Sequence, residues 1–334
     1  MSKTYNVYGI GNALVDLELK ATDDFINEHN IQKGVMTLVD EETQFRLIEA
    51  ISDKHILRKS GGSGANSIIA VAQFGGTAYY SCKVANDEYG DFYMRDMSEA
   101  GVATNLDKIE REQGITGKCL VMATEDAERT MNTFLGITTG LSTKEVNEEA
   151  IKAAEYVYLE GYPVTSPTGF EALKTVKDIA ERAGVKTSLT LSDPAIVGAF
   201  KPKFEELLST PVNLLFCNEE EAMSFTGKDT LAEAREALKE VAHHFAITQG
   251  KNGAIIFDGE TYIDIEPYSV NVVDSLGAGD MFAGAFLYGI TNNLGYAASG
   301  RLASKASSRV VAQYGPRLER DEVQQLLTEL TQDV

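Results

Sequence analysis

The segment Asp274-Ser275-Leu276-Gly277-Ala278-Gly279-Asp280 carries the residue types that hold phosphate without a lysine. Gly277 and Gly279 let backbone N–H groups converge, and the helical pattern that follows adds the partial positive charge of a helix N-terminus. Gly277, Ala278 and Gly279 are therefore read as an anion hole. Asp280 falls in the first helical turn. A carboxylate there either caps the helix or takes a hydroxyl proton when a phosphoryl group is transferred. A second cluster, Gly61-Gly62-Ser63-Gly64-Ala65-Asn66, also leads into a helix. Its glycines admit a ligand close to the backbone, or simply make a tight turn, and Asn66 can donate to and accept from a polyol.

Other phosphate, nucleotide and metal signatures are absent. No Gly-x-x-x-x-Gly-Lys-Ser/Thr occurs, and Gly9-Ile-Gly11 fails as a dinucleotide fingerprint because Leu14 stands at the third glycine position. His29, His55, His243 and His244 make no ligand pattern; the last two read as solvated surface near a helix end.

Elements able to position these residues alternate along the chain. Strand-like runs at 5–11, 78–84, 156–159, 186–191, 212–217, 245–248 and 254–257 interleave with helical patterns at 65–74, 170–183, 232–241, 278–288 and 297–311. Such alternation predicts an α/β fold, a mostly parallel sheet covered by helices on both faces. Two stretches break the rhythm. Residues 14–19 alternate as a half-exposed strand, and 117–123 with 129–135 read as a hairpin around Glu125-Asp126-Ala127-Glu128. They predict a small β-sheet lid made from insertions at about 14–38 and 114–137, or else edge strands of one mixed sheet. With 334 residues and no visible linker, the chain reads as one α/β domain spanning 1–334.

Composition narrows the partners. Lys and Arg total 30 against 50 Asp and Glu, a net charge of −20 that repels nucleic-acid polymers. Cys82, Cys119 and Cys217 are too few and too scattered for a disulfide framework, and no run of 18 apolar residues exists to span a membrane. The N-terminus lacks the apolar region of a signal peptide, so a cytoplasmic protein is expected.

The two glycine clusters together resemble the signatures of the ribokinase-like (PfkB) family of carbohydrate and nucleoside kinases. Between them, Asn218-Glu219-Glu220-Glu221 is similar to that family's Asn-x-x-Glu motif, and Thr248-Gln249-Gly250 to its nucleotide-site Thr-x-Gly. The likeness runs in order from residue 5 to about 318. Within the family the chain most resembles adenosine kinases, whose opening Gly-x-Gly-Asn-x-x-x-Asp corresponds to Gly9, Gly11, Asn12 and Asp16.

The resemblance implies a three-layer α/β/α core with a small β-sheet lid, and an ATP-dependent kinase phosphorylating the 5′-hydroxyl of a purine nucleoside. Asp280 would be the base. Asp16 would accept from two ribose hydroxyls, with Asn12, Gly62 and Asn66 completing the sugar site, unless Asp16 is only the exposed position of its strand. Ser63 would reach the base edge; Tyr162 would stack on the purine or serve as a core tyrosine. Asn218, Thr248 and Gly250 would contact ATP. Glu221 would hold Mg²⁺ through water, while Glu219 and Glu220 read as solvated charges. Arg129 would meet the phosphates on closure, or form a surface ion pair. A monovalent cation is a further expectation, although Ser275 and Leu276 depart from the family pattern beside it. Pro163 departs too, where many relatives carry a second aromatic. A sugar kinase acting on ribose, fructose or a keto-deoxy sugar acid is the near alternative, and a regulatory protein on an inactive kinase scaffold the distant one. A monomer or weak dimer is expected.

Overall fold

The structure, a computed structural model, describes residues 3–52, 54–125 and 128–332. Its main sheet has nine strands. In spatial order they are Tyr262–Ile265, Ala254–Phe257, Ala242–Thr248, Val212–Asn218, Lys186–Thr190, Ala154–Leu159, Tyr5–Ile10, Ala78–Ser81 and Val102–Thr104. The seven from Ala242–Thr248 onward run parallel, and the first two are an antiparallel edge.

Both faces are covered because the strands alternate between two apolar cores. Val7, Tyr156, Tyr158, Leu214 and Phe216 enter one core, which includes the helices Ser63–Gln73, Ala278–Thr291 and Gly295–Val311. Tyr8, Val157, Leu159, Leu215 and Cys217 enter the other, with Pro167–Arg182 and Pro194–Leu207. The α/β expectation holds. Glycine also sets how closely two helices meet: a methyl on Gly284 would overlap the Ser67 carbonyl and Ala70, so Ala278–Thr291 lies directly on Ser63–Gln73.

A separate five-stranded sheet stands apart from the nine, which excludes the single mixed sheet. Its order is Met36–Leu38, Arg129–Phe134, Gly117–Ala123, Leu14–Lys20 and Leu57–Gly61. The last strand lies outside both predicted insertions, because its sequence of Leu, Arg, Lys, Ser and Gly carries no strand alternation. At the hairpin tip, Asp126 and Ala127 lie outside the described residues. Val15, Leu17 and Leu19 pack inward with Phe25, Ile26 and Leu47. The other face carries Asp16, and its register neighbours Cys119, Thr133 and Leu38 follow across the sheet. His243 and His244 sit in a main-sheet strand instead of near a helix end, with His244 stacked on Tyr296.

Candidate active site

The candidate residues gather where the parallel strands end, the usual ligand-binding edge of an open α/β sheet. Asp280 is the third residue of helix Ala278–Thr291. Its Oδ1 accepts from Ser63 Oγ at 2.6 Å and its Oδ2 from Asn66 Nδ2 at 3.1 Å. The helix cap is Gly277 at φ 76°, with no side-chain capping bond, so the Asp280 carboxylate serves a neighbouring segment and not its own helix. Burial raises its pKa, while the bonds from Ser63 and Asn66 pull it back. Ser63, expected at a base edge, is thus engaged with Asp280. Asn66 keeps a buried Oδ1 with no partner among the described residues.

Gly277 is required by its left-handed backbone, and Pro316 fills the space a side chain would need. Gly279 differs. A Cβ there would meet nothing within 4 Å, so its bareness serves no contact within the chain. The N–H groups of Gly277 and Gly279 have no acceptor among the described residues, whereas Ala278 N–H donates to Ser275 O at 3.3 Å. Of the three N–H groups expected to form an anion hole, those of the two glycines are the ones left open. Gly279 and Ala278 face a cavity of about 440 Å³ whose opposite wall holds Thr248 and Gly250. Asn218 pairs with Thr248 in register at the same edge.

Asp16 lies on strand Leu14–Lys20 of the small sheet. It is 7% exposed, and a methyl on Gly61 would overlap its carboxylate, so glycine is what lets the turn lie against it. Residues 61–63 then run from Asp16 to Asp280, with Gly62 at φ 98° facing the Asn12 carbonyl. Burial first and Glu18 second push the Asp16 carboxyl up to about 7, against the opposing pull of Arg317. Tyr162 is half-buried, its hydroxyl pKa raised by burial and then by Asp193, Glu160, Asp280 and Glu221.

Glu221 and Asn218 form a reciprocal capping box at the start of helix Glu219–Thr226. Glu221 is 5% exposed and its two oxygens accept only from Asn218, at 2.8 and 3.0 Å. Burial, with Asp193 and Glu220 nearby, raises it to about 7. A buried acid beside other acids and without a paired cation suits a hydrated divalent ion held through water. No group of three candidate ligands gathers among the described residues.

Arg129 forms no surface pair. Its guanidinium reaches Asp274 at 3.2 Å with both side chains under a tenth exposed, and lies over the Tyr314 ring at 5.3 Å. Asp274 also accepts from Leu276 N–H at 3.1 Å and Gly315 N–H at 3.3 Å. The loop's acidic group beside the anion hole is thus already neutralised, and it does not fit the expected monovalent cation.

The profile of the pfkB family carbohydrate kinases matches residues 35–322. The chain belongs to that family. Kinases of this family transfer phosphoryl groups to hydroxyls of sugars or nucleosides. A probable sugar kinase from Rhizobium etli CFN 42 is 32% identical, with 98% of this chain and 99% of that one superposed at a TM-score of 0.87. The adenosine kinase of Sinorhizobium meliloti is 31% identical over 99% of both chains, with a TM-score of 0.85. Guanosine-inosine kinase of Escherichia coli (strain K12) is 25% identical over 70% of this chain, which spans about half of that relative, 55% of its length. Among the described residues no helix is long and apolar enough to cross a membrane.

For this PfkB kinase the sequence reading missed Glu160. It is fully buried, and its carboxylate accepts from Asn12 N–H at 2.5 Å and Gly64 N–H at 2.8 Å, joining the segments that carry Asn12 and the second glycine cluster. The signal available was a lone acid directly after the apolar run 156–159. Burial raises it to about 7, the two N–H bonds opposing. An acid raised on folding is ionised first in the unfolded chain, so its contribution to stability is lost as pH rises from its unfolded value of about 4.3 to its folded one. The melting temperature of the unliganded protein should therefore fall between about pH 4.5 and 7. Glu160→Gln should flatten that slope in a calorimetric series; an unchanged slope would remove Glu160 as its source.

Proposed function

We propose that this chain is an ATP-dependent kinase that phosphorylates the 5′-hydroxyl of a purine nucleoside, adenosine foremost. The observation that carries the reading is Asp280, oriented by Ser63 and Asn66 beside the bare Gly279 that lines a cavity, with residues 61–63 linking it to Asp16. The 31% likeness to an adenosine kinase over 99% of both chains supports a nucleoside acceptor, and the 32% likeness to a probable sugar kinase makes a sugar the second reading.

Asp16 accepts from two ribose hydroxyls. The Asn12 side chain and the free Oδ1 of Asn66 orient the sugar, and the Tyr162 ring flanks the base. ATP lies along Thr248, Gly250 and Asn218, its γ-phosphate at the Gly277 and Gly279 N–H groups. As the 5′-oxygen bonds to the γ-phosphorus and the bond to ADP breaks, Asp280 takes the hydroxyl proton, late in a loose transition state. Its burial favours that protonated form, while Ser63 and Asn66 keep the carboxylate in position beforehand. Arg129, with a buried Nε lacking a hydrogen-bond partner, meets the phosphates from the small sheet, which acts as the lid. Glu221 would hold Mg²⁺ through water, and the ion would supply charge neutralisation to the phosphates. Three buried, unpaired cysteines suit a reducing cytoplasm, where the chain works as a monomer or weak dimer.

Initial rates with ATP and Mg²⁺ on adenosine, inosine, guanosine, ribose and fructose test the assignment. Adenosine should give the highest kcat/KM. A clear preference for ribose or fructose would reassign the chain as a sugar kinase, and no turnover on any would discard the kinase reading. Glu221→Gln should raise the Mg²⁺ concentration needed for half-maximal turnover and spare nucleoside affinity. An unmoved Mg²⁺ titration would clear Glu221 of that role.

A further inference from the structure

A turn at residues 312–319 joins helices Gly295–Val311 and Arg320–Gln332, and it reaches both the Gly277 loop and the root of the small sheet. Gln313 Nε2 donates to Arg317 O at 2.7 Å and closes the turn on itself. Gly315 N–H donates to Asp274, and Pro316 lies against Gly277. Arg317 then reaches the root of the small sheet. Its Nη1 donates to Asp96 Oδ2 at 3.0 Å, and its Nη2 to Ser60 Oγ at 2.6 Å and to the Ser60 carbonyl. The same Asp96 oxygen accepts from Ser60 N–H at 2.8 Å and from Ser60 Oγ at 2.5 Å. Ser60 is 1% exposed and pairs with Val15, one step from Asp16, while the next residue, Gly61, lies against the Asp16 carboxylate. No part of the proposed chemistry uses Arg317.

We propose that Arg317 is a positioning residue for substrate recognition: it fastens the end of strand Leu57–Gly61, where Gly61 lies against Asp16, and brings a guanidinium charge to that end of the strand. The inference rests on the reading that Asp16 receives the substrate's hydroxyls. A carboxylate accepts two hydroxyl donors best when ionised, and Asp16 is buried among groups that mostly oppose ionisation. Glu18 faces it from its own strand, Lys59 from the antiparallel neighbour, Cys119 from the parallel one, Tyr93 from helix Glu88–Glu99, Asp280 from the catalytic helix and Arg317 from the turn. Burial raises Tyr93 and Cys119 far enough that both stay neutral through pH 5.5–8.5. The charges that remain are two carboxylates against Lys59 and Arg317. Without Arg317 the balance turns against an ionised Asp16, and the tie that sets Gly61 against it is cut.

The experiment is calorimetric titration of adenosine from pH 5.5 to 8.5 for the parent, Arg317→Met, Arg317→Lys and Asp96→Asn, with ATP affinity and thermal midpoint measured on each. Parent affinity should rise with pH as Asp16 ionises. Arg317→Met should weaken adenosine roughly tenfold at pH 7 and move the midpoint of the pH profile up by about one unit, with ATP affinity within about twofold. Arg317→Lys should restore most of the midpoint, since it returns the charge, and less of the affinity, since it loses the forked grip on Ser60 and Asp96. Asp96→Asn leaves Arg317 less neutralised, so its midpoint should not rise. A packing role alone would lower adenosine and ATP affinity together at all pH values, and that outcome overturns the proposal. So does an Arg317→Met protein that matches the parent, or a folded Arg317→Lys protein with the midpoint of Arg317→Met. A parent that binds ribose or fructose but no nucleoside overturns the nucleoside reading alone, and the same comparison then applies to that sugar's hydroxyls. A parent that binds neither overturns both.

Discussion

Asp280→Asn should lower kcat by about 10²–10⁴-fold, the usual cost of losing a positioned general base, while leaving nucleoside Kd nearly unchanged. The substitution keeps size, and the new amide oxygen can still accept from Ser63, whose bond to Asp280 is the shorter of the two at 2.6 Å. The partner that suffers is Asn66, whose Nδ2 would then face an NH₂ group. A thermal midpoint measured on the same protein separates that local loss from catalysis. Were Asp280 only a cap, asparagine would replace it with little change in stability or turnover. The geometry already weighs against capping, since the carboxylate binds Ser63 and Asn66. Turnover within a few-fold of the parent would sink the mechanism as drawn.

Loss of Asp16 should appear in binding instead. Asp16→Ala removes a carboxylate expected to accept two hydroxyl donors, at a cost on the order of 2–4 kcal/mol in nucleoside affinity. ATP affinity should not follow, because Thr248 and Gly250 line a cavity to which Asp16 does not contribute. The thermal midpoint should hold or rise, because a buried acid raised to about 7 contributes no favourable ionisation at neutral pH. Equal Kd values for parent and variant would return Asp16 to an ordinary strand position.

Much of this arrangement was legible in the chain, and what was not has a common cause. The central strands announce themselves because burial on both faces makes them nearly continuous apolar runs, as in residues 156–159 and 212–217. The anion loop is local: glycines, a helix start and an acid within seven positions. Strand Leu57–Gly61 was not legible, because its pairing with Leu14–Lys20 and not its own pattern makes it a strand. Helix Pro194–Leu207 hides behind an internal proline, with Phe200 at φ −120° marking the irregular turn. The contacts of Glu160 and Arg317 join segments about 100 to 260 positions apart, and no spacing rule reaches that far. The Asn-x-x-Glu spacing was visible, yet it serves equally as a capping box, so the same four residues carry two meanings that sequence cannot separate.

Gly284 bears on redesign. Since it seats helix Ala278–Thr291 on the Ser67 carbonyl, Asp280 and the two side chains that orient it behave as one solid block. Retargeting the protein to another alcohol by enlarging residues along that joint would move Asp280 away from its supports before it made room for a new substrate. The opposite wall carries no such penalty. Met36 and Leu38, on an edge strand, are 48% and 60% exposed, and Leu38 shares the sheet face that carries Asp16. An engineer seeking a new acceptor should diversify that strand and leave the helix joint untouched, exchanging what the cleft admits without disturbing how it reacts.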